Sequence, residues 1–386
     1  MTATSAYDVA VIGLGGMGSA TAYHLARRGA KVLGLEQFGP AHDQGSSHGQ
    51  SRIIRLAYFE GAFYVPLLLR AYELWDQLQR ESGRHLLTMT GGLYLGAPGC
   101  SLIDGALSSV AAYGLAHEIL SSNEVRRRFP PFRPPQHFVG VYEPQAGVLD
   151  PEGSIHAALA LAGQHGADLH FAERMLRLEL APSGNGATIV TERAAYTCDR
   201  VVLACGPWTA QFLPDLHLPL SVVRMVMYWF KPTERPEEFL PDRCPIYMWE
   251  VDDGLQFYGF PVMEGAAGGV KVALHTQVGT PTTPQSIDRT VHDAEIARVR
   301  AIMADYIPQL SGENLDARTC MYTLTPDEHF ILDRHPAYPQ MAIAAGFSGH
   351  GFKFCSVVGE IMADLTESRS TRHNIEMFRI VRSALQ

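Results

Sequence analysis

The stretch YDVAVIGLGGMG, Tyr7 to Gly18, leaves this chain little freedom in how it begins. Val9, Ala10, Val11 and Ile12 run together without alternation, the pattern of a strand buried on both faces. Glycines follow at 13, 15 and 18. Gly13 permits a tight turn, Gly15 a close backbone approach to a pyrophosphate, and Gly18 close packing of helix on strand. A helix is predicted from about Met17 to Arg28, ending at Gly29, then a strand from Lys31 to Glu36. Strand, helix and strand in so short a span make a βαβ unit, hence a parallel sheet. The helix N-terminus offers free N–H groups and a partial positive charge to phosphates. Glu36 lies 18 residues after Gly18, where a carboxylate accepts hydrogen bonds from an adenosine ribose. These features together predict a dinucleotide site. They do not separate FAD from NAD, but Glu36 disfavours NADP, whose 2′-phosphate it would repel.

A chain of 386 residues suggests two to three domains. With 31 Lys and Arg against 40 Asp and Glu the net charge is −9, which argues against nucleic acid or an anionic membrane as the main partner. A small acidic substrate stays open, since one local basic cluster binds a carboxylate. No apolar run reaches the roughly 18 residues of a membrane span, and MTATSAYDVAVIG lacks the pattern of a signal peptide. The six cysteines (Cys100, Cys198, Cys205, Cys244, Cys320, Cys355) form no CxxC pair. Free thiols and cytoplasmic residence are the expectation.

Further along, helices are predicted at Tyr64 to Ser82, Pro151 to Gln164, Val291 to Ile307 and Ser356 to Thr366. From Gly91 the pattern is short strands and proline-rich turns, with FPPFRPP at Phe129 to Pro135. Strands are predicted at Val201 to Ala204, through much of Leu220 to His275, and at Met341 to Gly346. The expected class is α/β: a Rossmann-like domain with a parallel sheet, interrupted by an antiparallel-sheet domain. The division places 1–88, 146–220 and 321–386 in the first and 89–145 and 221–320 in the second.

Four more motifs carry chemistry. GSSHGQSRIIR, Gly45 to Arg55, sets Arg52 and Arg55 three apart, so that a helical or irregular turn brings them together. It reads as an anion site or, equally, as a solvated basic loop. In RTCMYTLTPDEHFILD, Arg318 to Asp333, Cys320 alone reads as a buried thiol, and Pro326 suits the first turn of a helix. Asp327, Glu328 and His329 are adjacent and do not converge on one metal ion. AAGFSGHGFKF, Ala344 to Phe354, is a strand, a glycine loop and a helix start, either a ligand-facing turn or a surface turn. In GVKVALH, Gly269 to His275, alternation puts Lys271, Ala273 and His275 on one strand face, and pattern alone favours a solvent-facing edge.

Taken together, these motifs resemble the monomeric sarcosine oxidase family, which includes N-methyltryptophan oxidase, within the D-amino acid oxidase superfamily. The resemblance runs from Tyr7 to about Leu365. It implies FAD, joined covalently to Cys320, with contacts from Gly13, Gly15, Met17, Gly18, Glu36, Gly45, Ser46, His48, Arg52, Met175, Gly349, Gly351 and Lys353. It implies that Arg55 and Lys353 hold the substrate carboxylate, with Tyr322, Met248 and Gly349 beside them. It implies catalytic roles for Arg52 against the flavin, Lys271 in the reaction with oxygen, and His275, Tyr258 and His350 around the substrate. Two stretches, Gly259 to Lys271 and Trp249 to Tyr258, run longer than in the sarcosine enzymes. Trp249 and Phe257 either narrow the cavity or form a platform for an aromatic substrate.

The implied reaction is oxidation of a small amino acid with oxygen. Sarcosine or a related N-methyl amino acid gives the primary amino acid, formaldehyde and hydrogen peroxide. A monomer, without nucleic acid, membrane or metal, is expected. The rivals are an oxidase of N-methyltryptophan, pipecolate, proline or a primary amino acid; a flavin dehydrogenase with a protein acceptor; and a non-enzymatic flavin- or NAD-binding module.

Overall fold

The computed structural model describes residues 6–182, 184, 186–263, 268–275, 279–368 and 370–385. The buried run after Tyr7 forms the strand Tyr7–Ile12 at the heart of an eight-stranded sheet. It pairs in parallel with Val32–Leu35 on one side and Ala195–Leu203 on the other. Ala195–Leu203 pairs in parallel with Met341–Ala345, so the first and last motifs of the chain end at the same sheet edge. The helices Gly16–Arg27, Pro151–Gln164 and Cys355–Glu367 share one core with this sheet. A Cβ on Gly18 would overlap the Gly13 carbonyl oxygen, which is why the first helix can lie against its strand only with glycine there.

A second, nine-stranded sheet holds the middle of the chain. Its pairings are antiparallel except one: Ile246–Glu250 runs parallel to Gly92–Gly96. The strand Asn314–Leu324 lies along Ser221–Phe230 and continues in this sheet across the expected division at residue 320. Helix Asp293–Tyr306 covers one face, packing Val299 and Met303 into a core with Trp249 and Phe257. A small three-stranded sheet joins Arg52–Ile54, Gly147–Leu149 and Leu87–Met89.

Four sequence expectations change. Arg52 lies in a strand, not a helical turn, and Arg55 follows that strand's end. Val270–Leu274 is an inner strand between Ser221–Phe230 and Gln256–Gly259, so Lys271 is buried rather than on a solvent-facing edge. Pro326 starts a turn and no helix, closed by Thr325 Oγ1 donating to the His329 carbonyl at 2.7 Å. After Gly91 two helices appear, Ser101–Tyr113 and Ser122–Arg128. The first is rich in small residues and its Gly105 lies against the Phe59 backbone, where a Cβ would meet the carbonyl. Its Ser109 hydroxyl donates to the Tyr58 carbonyl at 2.6 Å, which buttresses the segment after Arg55. The longer stretch between Gly259 and Lys271 falls partly on residues 264–267, outside those described. Among the described residues, no helix is long and apolar enough to cross a membrane.

Candidate functional site

Two cavities meet where the sheets adjoin. The larger, of about 610 Å³, runs along the end of the parallel sheet. It is lined by Gly13, Gly15, Met17, Glu36, Gly45, Ser46 and Met175, and at its far end by Gly349 and Gly351. Gly18 sits behind this wall, against Gly13. The smaller cavity, of about 60 Å³, lies against the antiparallel sheet and is lined by Arg55, Glu60, Met248, Tyr258, His275, Cys320, His350 and Lys353, among others. Arg52, Tyr322, Gly349 and Phe352 line both.

The larger cavity fits a dinucleotide in size and donor set. A Cβ on Gly15 would meet nothing closer than the Ser47 Oγ at 3.9 Å, so packing alone does not require glycine there, whereas a ligand pressed on this backbone does. Glu36 is buried, and its carboxylate accepts from the Leu14 N–H at 2.9 Å and the Phe38 N–H at 3.0 Å. Burial alone would raise its pKa, but His42 and these two N–H groups hold it below the usual value. Its Oε1 also lies 3.4 Å from His42 Nε2, while Oε2, with the Leu14 N–H as its one partner, keeps a lone pair for a ribose hydroxyl. His48 is buried with neither ring nitrogen partnered, and burial followed by the charge of Arg52 lowers its pKa to about 3. It lines neither cavity, so the structure does not bring it to the cofactor wall as expected.

Cys320 is 2% exposed and faces the smaller cavity beside the shared wall. Burial raises its pKa, while Arg52, Lys271 and Arg224 pull it back. Lys271 lies behind this wall and lines neither cavity. Its ammonium donates to the carbonyls of Gly49 at 2.7 Å and Ser51 at 2.9 Å. The Phe260 ring centre is 4.9 Å from Nζ. Burial and then Arg52 drive its pKa well down.

The smaller cavity is dominated by cations. Arg55 is 1% exposed, its Nη2 bonded to both oxygens of Glu60 at 2.7 and 2.6 Å and its Nη1 to the Ala57 carbonyl at 3.1 Å. The guanidinium lies 4.2 Å from the Tyr58 ring centre, and its Nε has no partner. Burial would raise the Glu60 pKa, but Arg55 and other nearby positive groups bring it down to about 2. Lys353 donates to the His350 carbonyl at 2.8 Å. Burial and the neighbouring Arg55 lower its pKa to about 7, against the pull of Glu60. Gly349, at a φ of +80°, lies so close to Tyr322 that a Cβ would overlap the ring. The Tyr258 and Tyr322 hydroxyls are 3.2 Å apart.

The two histidines differ. His350 Nε2 lies 3.0 Å from the Glu328 carbonyl, which only accepts, so Nε2 carries the proton and Nδ1 accepts from the Tyr58 hydroxyl at 2.5 Å. Both its nitrogens are engaged within the wall. His275 has an unpartnered Nδ1, and burial lowers its pKa to about 4, so its ring is neutral. Trp249 and Phe257 stack on each other at 5.6 Å in the core behind the sheet, and neither narrows the cavity nor forms a platform in it. Met248 and Tyr258, one residue away on each strand, take the cavity side.

Sequence reading missed three acids. Glu60 closes on Arg55. Glu143 is buried and accepts from the Leu56 and Ala57 N–H groups at 2.6 and 3.0 Å and from the Tyr94 hydroxyl at 2.5 Å, which fixes the turn after Arg55. Glu152 accepts from the Gly49 N–H at 2.6 Å. Asp327 pairs with Arg382, and His329 lies against the Tyr64 hydroxyl.

Residues 8–365 match the family model described as FAD dependent oxidoreductase. The chain is 50% identical over 373 residues to the monomeric sarcosine oxidase of Streptomyces avermitilis, covering 96% of each. It is 32% identical to the N-methyl-L-tryptophan oxidase of Yersinia pestis, over 97% of this chain and 99% of that one. The solved structure of NikD, an unusual amino acid oxidase essential for nikkomycin biosynthesis, superposes with a TM-score of 0.84 at 28% identity, over 97% of this chain and 98% of the other. The chain belongs to the FAD-dependent oxidoreductase family, in the group of the monomeric sarcosine oxidases.

Proposed function

We propose that this chain is an FAD-dependent oxidase of small N-methyl amino acids, with sarcosine as the preferred substrate. The observation that carries the reading is the meeting of the two cavities at Arg52, Tyr322, Gly349 and Phe352, with Arg55 and Lys353 in the smaller one. The narrow lining of the smaller cavity by Met248, Tyr258 and Tyr322 favours sarcosine over an indole side chain. FAD, when bound, supplies the two-electron chemistry and passes the electrons to oxygen.

The residues do the rest. Arg55 and Lys353 pair with the substrate carboxylate, Arg55 exchanging Glu60 for it. The amine must lose its proton before its lone pair can assist C–H cleavage. The charge of Arg52, whose guanidinium bonds to the Ser51 and Ser46 carbonyls, favours that loss by like-charge repulsion. Neutral His275 adds no charge and offers a ring nitrogen to the amine as acceptor. Tyr258, Tyr322 and Met248 set the width of the pocket, while His350 holds Tyr58 beneath Arg55. Water then hydrolyses the imine to the primary amino acid and formaldehyde. Lys271 is the cation for the reaction with oxygen, a reading supported by the Gly49 and Ser51 carbonyls, which favour its charged form against burial and Arg52. Cys320 is the covalent anchor, supported by its place next to the shared wall, where Arg52 and Lys271 offset part of the burial that raises its pKa.

The test is turnover of purified protein with sarcosine and with N-methyl-L-tryptophan, measuring formaldehyde and peroxide together. Equal yields of both from sarcosine, and far less from the indole substrate, are expected. A preference for the indole substrate, or turnover without peroxide, would overturn the reading. Acid precipitation should keep the yellow flavin in the pellet, and Cys320→Ser should release it to the supernatant.

A further inference from the structure

The loop at Gly49, Gln50 and Ser51 is held from opposite sides by opposite charges. Glu152, in the first turn of helix Pro151–Gln164, accepts the Gly49 N–H at 2.6 Å and the Gln50 N–H at 3.2 and 3.1 Å through its two oxygens. Lys271 donates to the Gly49 and Ser51 carbonyls. The Gly49 carbonyl and the Gln50 N–H belong to one trans peptide group and point opposite ways. A carboxylate therefore sits at the positive end of that peptide dipole and an ammonium at the negative end. Among the described residues, no carboxylate lies within 4.0 Å of the Lys271 nitrogen. The peptide stands where a direct ion pair would.

The same loop places Arg52. Its Nη1 donates to the Ser51 carbonyl at 2.8 Å and its Nη2 to the Ser46 carbonyl at 2.8 Å. Gly49 and Gln50 sit at φ of +97° and +67°, consecutive left-handed residues of which one is not glycine. Such a turn persists only where its surroundings hold it. We propose that Glu152 is a positioning residue: through the backbone of Gly49 to Ser51 it fixes Arg52 on the flavin-side wall and Lys271 behind it, and so governs the reaction with oxygen. This rests on the reading of Lys271 given above.

The test uses the flavin-loaded full chain with Glu152→Ala, Glu152→Gln, Lys271→Met and the Glu152→Ala/Lys271→Met double variant. Amide hydrogen exchange at Gly49 and Gln50 reads the loop without any turnover, and should speed up by about tenfold or more in Glu152→Ala. Reduction by sarcosine without oxygen should slow less than reoxidation, because Arg52 keeps its Ser46 acceptor outside the clamped loop. Reoxidation by oxygen should slow by about tenfold, as expected when hydrogen bonds to a charged group are lost. Glu152→Gln, which keeps an acceptor but no charge, should fall between. The double variant should reoxidise no more slowly than Lys271→Met alone. Unchanged exchange, equal slowing of both half-reactions, or additive losses in the double variant would overturn the proposal. A Lys271→Met enzyme that reacts with oxygen at the wild-type rate sinks the underlying reading of Lys271, and the exchange data then tell that failure apart from a failure of the clamp.

Discussion

Lys353 makes a sharp prediction because its pKa, lowered to about 7, falls inside the working range. Burial and Arg55 disfavour its charge, and Glu60 only partly restores it. A lysine binds a carboxylate well only when protonated. Below pH 7 the cation is present and binding is at its strongest. Above pH 7 each unit adds about 1.4 kcal/mol, the work of protonating the lysine for the complex. By pH 9 the loss reaches about 2.7 kcal/mol, or roughly a hundredfold in Kd, unless Arg55 takes over the whole contact first. Acetate is the right probe, since it has a carboxylate and no amine of its own to titrate in this range. Its Kd, followed through the flavin absorbance between pH 5.5 and 9.5, should be flat and then rise from a break near pH 7. Lys353→Met should bind weakly throughout and show no break. Lys353→Arg, protonated across the whole range, should also show none. A break that survives in both variants belongs to another group and refutes the argument, as does a flat wild-type curve.

The remaining predictions follow from the same geometry. Glu60→Gln frees Arg55, so acetate should bind more tightly at pH 6, by a few-fold in a competition titration. The lost negative charge should also move the Lys353 break to lower pH, and a shift upward would contradict the electrostatics. Gly15→Ala should leave the melting temperature of the flavin-free chain within a few degrees, because nothing of the protein lies nearer than 3.9 Å to the new Cβ, while weakening retention of FAD. Gly18→Ala forces overlap with the Gly13 carbonyl and should cost several kcal/mol of stability, seen as a large drop in the denaturation midpoint whether or not flavin is present. Glu143→Ala strips the acceptor from two buried N–H groups and should raise the KM for sarcosine through a loosened Arg55 turn, with Glu143→Gln milder.

What the sequence disclosed, it disclosed through backbone necessity and local pattern. The glycines at 13 and 18 admit one packing of strand and helix, so the first βαβ unit was legible residue by residue. Helix Pro151–Gln164 carries its own start signal in Asp150, whose carboxylate accepts the Gly153 N–H at 2.9 Å. Ser101–Tyr113 was not legible: LIDGALSSVAAY is apolar and small nearly all round, so no 3.6-residue stripe marks it, and its Gly105 reads as a breaker until the Phe59 backbone is seen against it. Lys271 misled for a related reason. Alternation shows which residues share a face but not whether a strand lies at the edge or inside a sheet, and only the pairing with two neighbours decides that.

The site divides along the same line. Its cations sit inside recognisable runs, Arg52 and Arg55 in one and Lys353 in another, and were found there. Their counter-charges did not announce themselves. Glu60 lies five residues beyond Arg55 in a segment with no repeating pattern, and Glu143 and Glu152 act on the loops at 56–57 and 49–50 from strand and helix ends far along the chain. A carboxylate that bonds to backbone N–H groups needs no particular sequence around it, only arrival at the right place once the sheets have formed. This asymmetry has a physical consequence for the cavity. Arg55 has a carboxylate in direct contact that a substrate can displace, whereas Lys271 has one only across a peptide group. The first is an exchangeable pair suited to binding and release, and the second a fixed one suited to holding a charge in place. If that distinction is sound, Glu60→Gln should change the affinity for acetate and leave amide exchange at Gly49 and Gln50 untouched, and Glu152→Ala should do the reverse. Either variant moving both readouts would mean that the two clusters form one network and that the division drawn here is wrong.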